Sequence, residues 1–255
     1  MSMKKIFIIG IGAGDPDHVT MQAIKALNRV NVFFVFDKGA ETAELVEIRR
    51  EICARYITDN PYRIVEIESP KRDASAGYGA GVEAWHRARS QLAASAISRE
   101  LPEGRSGAFL VWGDPALYDS TLRILQHILI DDPDAFEIEV IPGITSVQVL
   151  AARHQIPLNG IGEPIHITTG RRLSGEIPLD SGNVVVMLDD GSGLKKFVDD
   201  NAEIYWGAYM GTPDEILMAG KFKDVAPDIL KIRQREKMRK GWIMDTYLLR
   251  RHKPQ

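Results

Sequence analysis

A two-domain α/β protein is the fold class this sequence predicts, and three observations predict it. In the first half strands alternate with helices, a pattern that requires crossover connections and a parallel sheet. Three of those strands run into loops rich in Gly, Pro, Asp and Thr: residues 6–17 (IFIIGIGAGDPD), 109–120 (FLVWGDPALYDS) and 136–146 (FEIEVIPGITS). After Ile141 the pattern changes, and QIPLNGIGEP at 155–164 marks a boundary near residue 157. Residues 1–156 are therefore an N-terminal parallel-sheet domain and 157–255 a C-terminal α/β domain with a mixed sheet.

The elements follow in order. Residues 6–9 form a short apolar strand, and Thr20 caps a helix to about residue 29, with Pro16 barring an earlier start. NVFFVF at 31–36 is the continuous run of a strand buried on both faces. A helix over 41–55 carries the single cysteine, Cys53, as a small core residue. A strand at 63–67 leads into the polar SPKRDASAGYGAG, a mobile loop. A long helix over 82–99, a strand at 109–112, a helix over 120–130, a strand at 137–141 and a helix over 145–154 complete the half. Beyond the boundary come strands at 165–168, 183–188, 203–208, 215–221 and 241–249, with helices near 193–200 and 226–235. The basic KIRQREKMRK reads as a solvated helix face and LLRRHKPQ as a frayed terminus.

Composition sets the limits. With 255 residues, 44% apolar, the chain is long enough for two domains, and a net charge of −3 argues against a nucleic-acid surface. The N-terminus passes from MSMKK straight into a strand, with no signal peptide. No apolar run approaches the ~18 residues of a membrane span, so no membrane partner and a soluble, cytoplasmic protein are expected. No C-x-x-C or H-x-x-x-H spacing occurs, so no metal is expected.

In a parallel α/β sheet ligands bind outside the carboxyl ends of the strands, and glycine there lets main chain approach them. Gly10 and Gly12 match the start of a dinucleotide fingerprint, with Asp37 ending the second strand. The third glycine is replaced by Asp15, however, and Asp15-Pro16-Asp17 separates the loop from its helix. The pyrophosphate would lose its helix N-terminus, which disfavours NAD.

Taken together the loops resemble the tetrapyrrole methylase family. Its motifs match Gly10-Ile11-Gly12-Ala13-Gly14-Asp15-Pro16, Gly113-Asp114-Pro115 with Tyr118, Pro142-Gly143-Ile144-Thr145-Ser146, Val185-Val186-Met187-Leu188 and Pro213-Asp214-Glu215, in order. Ala13 stands where many members have Pro, Leu188 where Met is usual, and the stretch from Asp37 to Gly104 is unusually long. The resemblance implies a two-domain methylase fold, S-adenosyl-L-methionine as cofactor in a crevice between domains, S-adenosylhomocysteine as product, and a homodimer. It implies contacts to the cofactor from Gly12, Ala13, Trp112, Gly113, Asp114, Leu117, Thr145, Ser146, Met187, Leu188, Met210 and Gly211. The long segment, with VFDKG, VEAWHRAR and WGDPALYDSTLRIL, is similar to the branch that methylates precorrin-5 at carbon 1 and releases its acetyl group as acetate to give precorrin-6A.

Methyl transfer needs mainly positioning, whereas deacetylation needs a base for water and a donor for the oxyanion. Asp114, His86 and Tyr118 are the catalytic candidates. Asp114 can equally be a turn-forming residue before Pro115, and His86 a surface histidine paired with Glu83. Asp119 points into the crevice or caps a helix. Asp37 and Lys38 at a strand end, with Arg49, Arg153, Arg171 and Arg172, are candidates for a substrate bearing several carboxylates. Trp85 and Trp112 can floor the macrocycle or fill the core. Three alternatives stay open: a precorrin methyltransferase without deacylase activity, a protein or RNA methylase of the same fold, and a non-catalytic nucleotide-binding module.

Overall fold

The computed structural model describes residues 3–37, 43–70, 78–173, 182–197 and 202–251. The chain divides into two compact units, residues 1–145 and 146–255, each built on a five-stranded sheet. The boundary lies ahead of the helix that the sequence assigned to the first domain. That helix, α5 (Ser146–His154), buries Val147, Val149 and Leu150 and packs on the second sheet.

The first unit runs β1 (Lys5–Gly10), α1 (Met21–Leu27), β2 (Val32–Asp37), α2 (Ala43–Tyr56), β3 (Arg63–Glu68), α3 (Tyr78–Glu100), β4 (Ser106–Val111), α4 (Thr121–Asp131) and β5 (Glu137–Ile141). Its strands are all parallel, in the order β3-β2-β4-β1-β5. Alternate residues of the strands feed two cores. Ile6, Ile8, Phe34 and Phe109 pack with α3 and α4 on one face, and Phe7, Ile9 and Phe33 with α1 and α2 on the other. Burial on both faces explains why β1 and β2 read as unbroken apolar runs. Cys53 is a core residue, and burial pushes its thiol pKa up to about 12, which leaves it unreactive.

The topology singles out one edge of the loops. From β1 the chain turns to the α1 face and from the neighbouring β4 to the α4 face. Their loops diverge at a topological switch point, the place where open parallel sheets bind ligands. Thr20 caps α1 as expected, its Oγ1 accepting from Ala23 N–H at 3.1 Å. The loop expected over 69–81 is shorter: α3 already begins at Tyr78, and residues 71–77 lie outside the described ones. Two glycines at the start of α3 cost about 1 kcal/mol each, which a 23-residue helix packed on the sheet outweighs.

The second unit continues from α5 through β6 (His166–Thr169), α6 (Gly170–Leu173), β7 (Asn183–Met187), α7 (Ser192–Lys196), β8 (Ala202–Ala208), β9 (Ile216–Lys221), α8 (Phe222–Lys240) and β10 (Asp245–Arg251). The sheet order is β6-β7-β10-β8-β9, mixed as expected, with only β6 and β7 parallel. Two readings are corrected here. The helix expected over 226–235 runs from Phe222 to Lys240, where Gly241 closes it at φ +79°. The strand expected over 241–249 runs from Asp245 to Arg251, so Arg250 and Arg251, read as part of a frayed terminus, belong to the central strand β10.

Candidate active site

In the first unit the loops after β1, β4 and β5 lock together through glycine. Gly113 N–H donates to Gly12 O at 2.8 Å, closing a two-residue bridge between the first two loops. A Cβ on Gly143 would lie 2.1 Å from Gly113 O and 2.8 Å from Gly10 Cα, and one on Gly10 would lie 2.6 Å from Gly143 N. These glycines exist so that three backbones can touch. Gly12 and Gly113, at φ +84° and +68°, add turns that a side chain would strain.

Asp114 completes the knot. Its Oδ1 accepts from Ala116 N–H and its Oδ2 from Gly143 N–H, both at 2.8 Å. The structure thus realises the turn-forming reading of Asp114 and adds a tie to the third loop. Asp119 Oδ1 accepts from Thr121 N–H at 2.6 Å, so the residue before the N-cap Ser120 satisfies the first amide of α4. Between them Tyr118 sits in the left-handed region at φ +54°, half exposed. Trp112 and Leu117 are half-buried, Ala13 and Thr145 buried. The Asp15-Pro16-Asp17 segment forms a single tight turn, anchored by Tyr56 Oη donating to Pro16 O at 3.0 Å.

Around the carboxyl ends of β2 and β4 lies a group of cations. Arg49 donates to Leu110 O at 3.1 Å and Leu45 O at 2.7 Å, so it ties α2 to β4. Burial lowers its pKa against the opposing pull of Asp119. His86 does not pair with Glu83, which bridges to Arg87 instead. Desolvation lowers the His86 pKa, and the charges of Arg123, Arg89 and His127 lower it further. The unfolded chain then takes up this proton first as pH falls through about 6.5. Stability should decline from there until the native His86 titrates. An NMR titration placing His86 at or above 6.5 would refute this. Asp37 ends β2 half-buried, and Lys38 lies outside the described residues.

The second unit presents two strained corners. Leu188 follows β7 at φ +51° and is 64% exposed, and Met187 before it is half-buried. The next residue, Asp189, is buried and accepts four hydrogen bonds: from Gly191, Gly193 and Leu194 N–H and from Tyr247 Oη. Arg233 donates to Asp189 O and pairs with buried Asp245, which also accepts from Trp206 Nε1 at 2.7 Å. The second corner is Tyr209-Met210-Gly211, with Tyr209 at φ +50° and Gly211 at φ +79°. Glu215 holds it, accepting from Gly211 N–H at 2.8 Å and pairing with Arg153. Asp214 pairs with Arg239 and Lys240. The Pro-Asp-Glu motif is thus a brace, and Arg153 spends its charge on it.

Met210 is buried, its side chain beside Gly207 and Leu150, so any ligand contact there is made by main chain. Ser146 Oγ lies 2.8 Å from Thr246 Oγ1, inside the same unit. Arg171 and Arg172 are exposed on α6. Sequence reasoning missed Asp189, Arg233 and Arg89. The first two reveal themselves only through partners distant in sequence. Arg89 could have been noticed at the i+4 position from Trp85 on a long helix.

The family model of the Tetrapyrrole (Corrin/Porphyrin) Methylases matches residues 5–226. A precorrin-6A synthase (deacetylating) from Sinorhizobium sp is 50% identical over 250 residues, covering 98% of this chain and 96% of the relative. The crystal structure of a cobalamin synthesis related protein (CobF) from Corynebacterium diphtheriae superposes with a TM-score of 0.83 at 38% identity, covering 98% of this chain and 99% of that one. A uroporphyrin-III C-methyltransferase from Thermus thermophilus, complexed with S-adenosylhomocysteine, shares the fold at 19% identity and a TM-score of 0.58, covering 96% of each chain.

Proposed function

Because this chain belongs to the tetrapyrrole (corrin/porphyrin) methylases, we infer that it acts as a precorrin-6A synthase, an S-adenosylmethionine-dependent methyltransferase of cobalamin biosynthesis. The observation that carries this reading is a likeness to a deacetylating relative that runs nearly end to end. The alternatives without deacylase activity have no comparable support.

The residues present suit S-adenosylmethionine. Gly12 and Gly113 offer main chain without side chains at the carboxyl ends of β1 and β4, with Ala13, Trp112, Leu117 and Thr145 around them. In the second unit the strained corners at Met187-Leu188 and Met210-Gly211 offer main chain as well, and Ser146 a hydroxyl. When bound, S-adenosylmethionine supplies an electrophilic methyl to the ring carbon that loses its acetyl group.

The other half of the chemistry falls to side chains. Water adds to the acetyl carbonyl of precorrin-5 and gives up a proton. The bond to the ring then breaks, its electron pair stays on carbon 1, and acetate leaves. We assign the proton to His86. Desolvation, and then the surrounding cations, hold its pKa below the ordinary histidine value, which favours the neutral imidazole a base requires. Asp114 is second choice, since each of its oxygens already accepts a backbone N–H. Tyr118, exposed on its strained turn, is assigned to the oxyanion. A homodimer in the cytoplasm completes the proposal, checked by sedimentation and by fractionation of the native host.

Incubation with precorrin-5 and S-adenosylmethionine tests the reading: acetate and precorrin-6A should form together, and absence of acetate overturns it. His86→Ala should slow acetate release by about 10²–10⁴ and leave S-adenosylhomocysteine affinity unchanged. Release within about threefold of wild type would remove His86 as the base.

A further inference from the structure

On α3, one turn from His86, Arg89 occupies a position unlike that of any other described arginine. It is 93% buried, being only 7% exposed. Its guanidinium stacks 3.7 Å from the centroid of Phe36 and 4.5 Å from that of Trp85. Its Nε has no hydrogen-bond partner. Burial brings its pKa down to about 10, against the pull of Asp119. A buried donor on a charged group left unpaired is costly, and native structures seldom keep one without use.

The surroundings show what the use is. Phe36 is the penultimate residue of β2, so the guanidinium sits at the carboxyl end of the parallel sheet, where ligands bind. Arg89 acts on His86 together with Arg123 and His127 from α4, whose charges also lower its pKa. Asp119 is the acid acting on this cluster, and one of its oxygens already serves the first amide of α4. The frame is rigid. Ser90 Oγ lies 3.0 Å from Ile124 O, fastening α3 to α4, and Trp85 Nε1 donates to Pro70 O at 2.9 Å. Two aromatic faces hold the planar fork in one orientation. The chemistry matched by a stacked, forked, underpaired guanidinium is a carboxylate.

We propose that Arg89 is a substrate-binding residue, which takes a peripheral carboxylate of the tetrapyrrole at the carboxyl end of β2. The assignment rests on the reading of the chain as a precorrin methyltransferase. It adds a specificity element. A tetrapyrrole with its carboxylates esterified would leave a buried cation unpaired and be rejected.

Two readouts test it. The first is binding of uroporphyrin, a stable tetrapyrrole with eight carboxylates, followed by tryptophan quenching with S-adenosylhomocysteine present. The second is the KM for precorrin-5. Arg89→Met keeps the stem and removes the fork, and should raise both constants by roughly tenfold or more, with S-adenosylhomocysteine affinity within about twofold. Wild-type values for both overturn the proposal. Should Arg89→Met not fold, Arg89→Lys decides. It keeps the charge and loses the bidentate edge, so a rise of about threefold is expected and a wild-type constant overturns the proposal. Uroporphyrin binding does not depend on turnover. Failure of wild type to release acetate would strike the underlying reading and leave this measurement standing.

Discussion

Gly143→Ala should abolish binding of S-adenosylhomocysteine and destabilise the first unit by about 3 kcal/mol or more, since overpacking between backbones cannot be relieved by a rotamer change. The added methyl would fall 2.1 Å from Gly113 O, and the atoms around it are main chain of the other two loops. Something must move, and whatever moves carries the ligand loops with it. Gly182→Ala is the control, because its Cβ would meet nothing nearer than 3.8 Å. Calorimetric titration and thermal unfolding of the two variants provide the check. Wild-type affinity in Gly143→Ala would show that the loops do not form the pocket.

Asp189→Ala should unfold the second unit well below the wild-type transition, at a cost of about 3–5 kcal/mol. Three backbone N–H groups and the Tyr247 hydroxyl would lose their acceptor inside the protein. Burial and Asp189 together push the Tyr247 hydroxyl pKa far upward, which keeps it a donor throughout the working pH range. Arg233, whose pKa is lowered by burial and raised most by Asp189, would keep Asp245 and Asp190 as acidic partners. Differential scanning calorimetry measures the loss. A fall of under about 1 kcal/mol would mean that water replaces the carboxylate without cost, contrary to its burial.

Much of the fold was legible in the sequence because its signals are local. Alternating strands and helices, Thr20 as a cap, and glycine loops at strand ends are each written within a dozen residues. What escaped is nonlocal. β10 was expected over 241–249, and only its end escaped, because Arg250 and Arg251 gain their place from pairing with β7 and β8 on either side. α8 runs from Phe222 to Lys240, and Arg233 and Glu236, on the stretch read as a solvated face, are buried in the structure. The loops were found, yet the reason for their glycines was only half seen. Approach to a ligand was expected, and approach of Gly10, Gly113 and Gly143 to one another was not. Arg49 and Arg153, candidates for substrate carboxylates, also tie elements of the protein together, and Arg89 drew no notice on its helix.

The contact among Gly10, Gly113 and Gly143 also bears on motion. Loops that interlock through main chain cannot open one at a time, since lifting any one breaks the bridge from Gly113 to Gly12 or the tie from Asp114 to Gly143. These loops should therefore open only when the sheet beneath them opens. The amides of Gly113 and Gly143 are then expected to exchange with deuterium as slowly as those of β1 and β4, even before any ligand arrives. A site of this kind is rigid in advance, and the ordering that many loops undergo on binding is here already complete when the chain folds.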